Sequence, residues 1–193
     1  MKKIGILFVT LLIIISTFAN AKTLFVGDSL TQGIGDNYKI KHIDTDLNYV
    51  IGSGIENKKI DWIKRINDID INEYDNIIIS IGTNDWGLHN EKDYSKKIEN
   101  FINIINNKKN SIKIIWILPP TIKNRKINNG VLKVKKIIKN KLSEHNIIFI
   151  DPSNIWGEKY IESIHNKKIR TTDGIHYTNY GAEMIANEIN IFP

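Results

Sequence analysis

The chain has 193 residues, 41% hydrophobic and 25% charged, a composition that suits one globular domain able to bury a core without metal or disulfide staples. It contains no cysteine, which excludes thiol catalysis, disulfide frameworks, cysteine zinc sites and a lipid-modified cysteine. The net charge of +6 is spread over lysines scattered among asparagine and isoleucine, without the clustered basic stripe and interleaved aromatics of a nucleic-acid binder.

Residues 1–21 read as a signal peptide: Lys2 and Lys3 form a basic start, residues 4–15 are mostly apolar, and Ala19-Asn20-Ala21 is an A-x-A cleavage site. The apolar run of about 15 residues is shorter than the roughly 20 that span a bilayer, so export with cleavage before Lys22 is expected, leaving no stable membrane anchor. Loss of Lys2 and Lys3 lowers the net charge to +4, which leaves room only for weak attraction to anionic cell-wall polymers. Residues 22–193 carry no repeat, Pro-rich linker or low-complexity block and are expected to form one domain.

Within that domain, short apolar runs at 23–26, 47–51, 76–81, 113–118 and 147–150 read as strands. The runs Ile77-Ile78-Ile79 and Ile114-Ile115-Trp116-Ile117 are continuously apolar, as in central strands covered on both faces. Helical stripes lie between them: Ile60, Ile63 and Ile66; then Ile98, Phe101, Ile102 and Ile105; then Val131, Val134, Ile137 and Ile138; finally Ala182, Ile185, Ala186 and Ile189. The alternation predicts an α/β fold, a three-layer α/β/α sandwich around a five-stranded parallel sheet in a flavodoxin-like order.

The chemistry gathers at the ends of these strands. The first runs into Gly27-Asp28-Ser29-Leu30, placing a serine hydroxyl at the C-terminal sheet edge, where open α/β sheets bind ligands, and its N–H at a helix start. Asp28 and Ser29 also suit an ordinary helix cap. After the second strand, Gly52-Ser53-Gly54 lets backbone N–H groups approach a ligand, and spacing does not choose between Gly52 and Gly54. The third strand stops at Gly82-Thr83-Asn84-Asp85, where the Asn84 side chain can donate to an oxyanion or cap the next helix, and Asp85 can bond nearby backbone. Pro119-Pro120 ends the fourth strand, and Asp151-Pro152 turns the chain into a loop reaching Arg170. Near the end, Asp173-Gly174-Ile175-His176 lets one loop hold both acid and base. Asp173 can accept the imidazole Nδ1–H and leave Nε2 free to act toward Ser29. His42, His89, His145 and His165 have no such setting and read as surface residues, and no metal-binding spacing exists.

These four blocks, in this order and from end to end of residues 22–193, resemble those of the SGNH (GDSL) hydrolase superfamily. The resemblance implies Ser29 as nucleophile, His176 as base and Asp173 as its orienting acid, with an oxyanion hole of the Ser29 N–H, the Asn84 side chain and a glycine N–H, Gly54 by the family pattern. It implies no cofactor and no metal. The expected activity is hydrolysis of a small acyl ester, with acetyl favoured because no lid or deep lipid tunnel is apparent, and export points to an acylated glycan. The alternatives are an O-acetyltransferase using the same triad, or an inactive carbohydrate-binding module; a phosphodiesterase is more remote. No nucleic-acid partner is expected.

Overall fold

The apolar run that opens the domain lies between two others. β1 (Thr23–Gly27) pairs in parallel with β2 (Thr45–Tyr49) on one side and β3 (Asn76–Ser80) on the other. β4 (Lys113–Ile117) and β5 (Ile148–Ile150) extend the sheet past β3, giving the all-parallel order β2-β1-β3-β4-β5. The structure is a computed structural model and describes residues 21–190 apart from Lys58; the expected signal peptide lies almost entirely outside the described residues.

Alternation along the strands divides the core in two. Leu24, Val26, Ile77, Ile79, Ile114 and Trp116 face α2 (Trp62–Asp68), α3 (Glu91–Lys108) and α4 (Arg125–Glu144). Phe25, Ile78, Ile115 and Ile117 face α1 (Ser29–Lys39) and α6 (Asn179–Ile189), with the short α5 (Ser153–Trp156) adding Trp156. The stripe Ile98, Phe101, Ile102 and Ile105 is 0% exposed. At about 1.5–3 kcal/mol per large apolar side chain, such burial opposes the chain's ordering entropy. α1 and α6 pack on each other, and Asn37 donates to Asn179 across the seam at 2.9 Å.

The five strands, their direction and the layers follow the sequence reading. The second strand begins and ends two residues earlier than expected, because Thr45 registers opposite Thr23 and Ile51 turns out to be 58% exposed. Gly52 and Gly54 therefore sit in a loop before α2 rather than at its first turn. The loop after β5 holds structure that the sequence did not announce: α5 and a hairpin of β6 (Ser163–Ile164) and β7 (Lys167–Lys168). Its turn is made by His165 and Asn166, both at positive φ (47° and 62°), with no glycine to mark it. No described helix is long and apolar enough to cross a membrane.

Candidate active site

All three arms of the site leave the C-terminal edge of the sheet. At the end of β1, Asp28 caps α1: its Oδ1 accepts the Leu30 N–H at 2.9 Å. Ser29 is the first helical residue and half-buried, so the capping role and the hydroxyl facing His176 fall to different residues. The turn is anchored to the end of β3, where the Ser80 carbonyl accepts both the Asp28 N–H (3.0 Å) and the Thr31 hydroxyl (3.1 Å).

The second arm is the loop before α6. Asp173 Oδ1 accepts from Thr171 Oγ1 (2.7 Å), Ile175 N–H (2.8 Å) and His176 N–H (3.0 Å), which leaves Oδ2 for the imidazole. His176 Nδ1 stands 2.7 Å from that Oδ2, and Nε2 stands 2.8 Å from Ser29 Oγ. With the carboxylate accepting at Nδ1, the tautomer assigned by the network has a bare Nε2 that accepts the serine proton. Desolvation pushes the Asp173 carboxyl up, but the bonds from Thr171, His176 and the two backbone N–H groups outweigh it and hold it well below the usual carboxylate range.

Arg170, which sequence reasoning named only as the end of a loop, supports this arm from beneath. It is 2% exposed, donating from Nη1 to the Ile175 carbonyl (2.9 Å) and from Nη2 to the Thr121 carbonyl (2.9 Å). No carboxylate lies within ion-pair distance of it among the described residues, and its Nε is buried without a partner. The faces of Tyr177 (4.5 Å) and Trp156 (5.4 Å) take the place of a counter-ion. No local pattern around residue 170 signals this burial.

The third arm begins where β3 ends, in a single 3₁₀ turn over Thr83–Asp85. Asn84 Nδ2 donates to the Ser53 carbonyl at 2.8 Å and lies 3.4 Å from Asp28 Oδ2, so its second hydrogen is only weakly held. Asn84 does not cap the next helix; Asn90 does, accepting from Lys92 and Asp93 N–H. Asp85 is structural, as expected: its carboxylate accepts from Ile55 N–H, Glu56 N–H and Tyr94 Oη, each at 2.9 Å. A Cβ on Gly54 would collide with that carboxylate, so only glycine lets this loop close on Asp85. The carbonyl of the Ser53–Gly54 peptide accepts from the Asn84 side chain. Gly52 instead makes a turn at φ +72°, and its carbonyl accepts from Asn57.

Charge is costly in this corner. Burial drives the Asp28 carboxyl up, the Leu30 N–H opposes the rise, the Asp85 carboxylate adds to it and the Thr83 N–H again opposes, for a balance of about 7. Asp85 is also raised by burial despite its hydrogen bonds. Two clefts border the arms of the site, and one of them touches Ser29. One of 260 Å³ includes Ser29, Gln32, Asp36 and His176; the other, of 300 Å³, includes Asn84, Leu88 and His89. His89 is on the surface, as expected, and its surface is the wall of the second cleft. Among the described residues no group of three or more His, Cys, Asp or Glu could hold a metal ion.

Residues 22–190 match the family described as "Protein of unknown function (DUF459)". No curated protein matches the chain. Solved structures do. A lipase/acylhydrolase from Enterococcus faecalis is 21% identical, with a TM-score of 0.64 over 87% of this chain and 95% of its own. A carbohydrate acetylesterase from Sinorhizobium meliloti is 10% identical, with a TM-score of 0.65 over 89% of this chain and 100% of its own. A member of the lipolytic G-D-S-L family from Veillonella parvula is 18% identical, with a TM-score of 0.64 over 88% of this chain and 97% of its own. At these identities the likeness is one of fold, and the fold is that of the SGNH hydrolases.

Proposed function

The chain belongs to the DUF459 family, built on the SGNH hydrolase fold, and from that premise we propose that it is a serine esterase. The observation that carries the reading is the unbroken relay from Asp173 Oδ2 to His176 (2.7 Å) and from His176 to Ser29 Oγ (2.8 Å). Ser29 Oγ attacks the ester carbonyl as its proton passes to His176 Nε2, and Asp173 stabilises the imidazolium that forms. In this proposal the carbonyl oxygen becomes an anion stabilised by the Ser29 N–H, the Asn84 side chain and a glycine N–H, Gly54 by the family pattern. His176 then gives its proton to the departing alkoxide, which leaves as the alcohol as the bond to the acyl carbon breaks, and the acyl group stays on Ser29 Oγ. Water, deprotonated by the same imidazole, attacks that acyl group and releases the acid. The scheme draws on no cofactor.

The acyl group in this proposal is small, acetyl first. The 300 Å³ cleft beside Asn84 is at the lower bound of roughly 300–1,000 Å³ for sites that enclose a drug-sized ligand. The substrate is an acylated glycan met after export, the A-x-A leader and the carbohydrate acetylesterase of like fold both supporting that choice. The test is acetate release from p-nitrophenyl acetate and from O-acetylated peptidoglycan, with and without an acceptor glycan. Hydrolysis without acceptor is expected. Acetyl transfer that requires the acceptor would make the protein an O-acetyltransferase, and glycan binding without turnover would make it an inert module.

A further inference from the structure

We infer that the 260 Å³ cleft on the His176 side of Ser29 is the subsite for the alcohol half of the ester, and that Gln32 and Asp36 select an uncharged, polyhydroxylated alcohol there, a sugar ring. The inference rests on the esterase reading. It starts from where the proton must go. His176 Nε2 hands its proton to the departing oxygen, so that oxygen lies within hydrogen-bond reach of Nε2, while the carbonyl oxygen points to the donors around Asn84. The cleft that touches both Ser29 and His176 is therefore the one the alcohol enters.

The floor of this cleft is one face of α1. Ser29, Gln32, Gly33 and Asp36 recur at helical spacing and all line it. Gln32 and Asp36 are exposed, and neither side chain has a hydrogen-bond or ion-pair partner among the described residues. Together they offer one amide donor pair and three acceptor oxygens, a set suited to vicinal hydroxyls. Asp36 also sets a negative charge in the cleft, which disfavours a phosphorylated or uronic alcohol.

Gly33 is the second observation. Glycine in a helix interior weakens the helix, and here neither backbone nor packing asks for it. A Cβ would stand 3.6 Å from the Ala182 Cβ, an ordinary contact, whereas at Gly35, two residues on, it would press into Leu47. Gly33 lines the cleft, and without a side chain there its floor stays low beside Gln32 and Asp36. The volume, below the roughly 300 Å³ where drug-sized sites begin, fits a single ring rather than a chain.

The experiment compares kcat/KM for an O-acetylated monosaccharide with that for p-nitrophenyl acetate, whose leaving group has no hydroxyls to bind. In the Gln32→Ala/Asp36→Ala double variant the sugar-to-aryl ratio should fall about tenfold, mainly through KM, the loss of two net hydrogen bonds. Gly33→Ala, whose added methyl stands in ordinary contact with Ala182, should also lower the ratio by narrowing the cleft. An unchanged ratio in both variants overturns the inference, as does a shift in acetyl-over-butyryl preference, which would make this the acyl side. A wild-type protein that cleaves the aryl ester but no sugar acetate also overturns it while leaving the esterase standing. A wild-type protein that cleaves neither sinks the esterase reading itself.

Discussion

The two halves of the site around Ser29 are built by opposite means. On the Asn84 side, Asp28 is 0% and Asp85 3% exposed, and burial lifts both carboxyls. On the His176 side the Asp173 side chain is 47% exposed and its carboxyl is held low by hydrogen bonds gathered within five residues. On the proposed mechanism the contrast follows from what each half must do. Donors that meet a transient oxyanion act best when fixed in a dry, low-dielectric setting. A base that takes a proton and returns it must meet alcohol and water, so its order comes from a local net of bonds rather than from burial.

Ser29 joins the halves, and its loss should be the largest effect. Ser29→Ala is expected to lower kcat on p-nitrophenyl acetate by about 10⁴–10⁶ with an unchanged circular dichroism spectrum. Unaltered turnover in the folded variant would end the serine mechanism. Asp173→Asn tests the exposed half alone: an amide at Oδ2 no longer fixes the Nδ1–H tautomer, and kcat should drop by about 10⁴ while the circular dichroism spectrum at 25 °C stays that of the folded protein.

Asn84→Ala tests the buried half and should cost about 10²–10³ in kcat with far less effect on KM. Asn84→Asp should be folded and at least as inactive, because a carboxylate repels the developing oxyanion. Near-normal turnover in Asn84→Asp would show that the donor lies elsewhere.

The sharpest separation of the halves is in stability against pH. Asp28 titrates near about 7 in the native state and near about 3.9 unfolded, so the native state holds the proton more tightly between those values and stability falls as pH rises through that window. Asp173 works the other way. Its depressed native value gives stability that is present above about 3.9 and is lost as pH falls toward that lower value. Stability read from urea midpoints from pH 4 to 8 should therefore decline with pH in the wild type and decline less steeply in Asp28→Asn, where only the raised Asp85 remains, a difference of about 4 kcal/mol at most. A flat wild-type profile would mean that Asp28 is not perturbed.

The frame was legible wherever local pattern and tertiary role coincide. Continuous isoleucine marked β3 and β4 because central strands are covered on both faces. The blocks holding Ser29, Asn84, Asp173 and His176 stood out because each follows a strand or precedes a helix. What stayed hidden depends on distant partners. That position 54 admits no side chain is set by the Asp85 carboxylate, which reaches Ile55 across 30 positions. Arg170 is buried against the carbonyl of Thr121, 49 positions away. The β6–β7 turn uses left-handed His165 and Asn166, which sequence alone reads as ordinary surface residues.

The pairing of α1 with α6 also sets a schedule. Ser29 and His176 are 147 positions apart, and the base sits just ahead of the last helix of the sheet's second face. A nascent chain displays Ser29, Gly54 and Asn84 long before it displays His176, so the nucleophile emerges without its activator. On the proposed mechanism, hydrolysis would begin only once α6 has been made and has docked on α1. A polypeptide threaded through a membrane in extended form would cross it harmless to any ester on the way, and the act of finishing the fold would be the act of arming it.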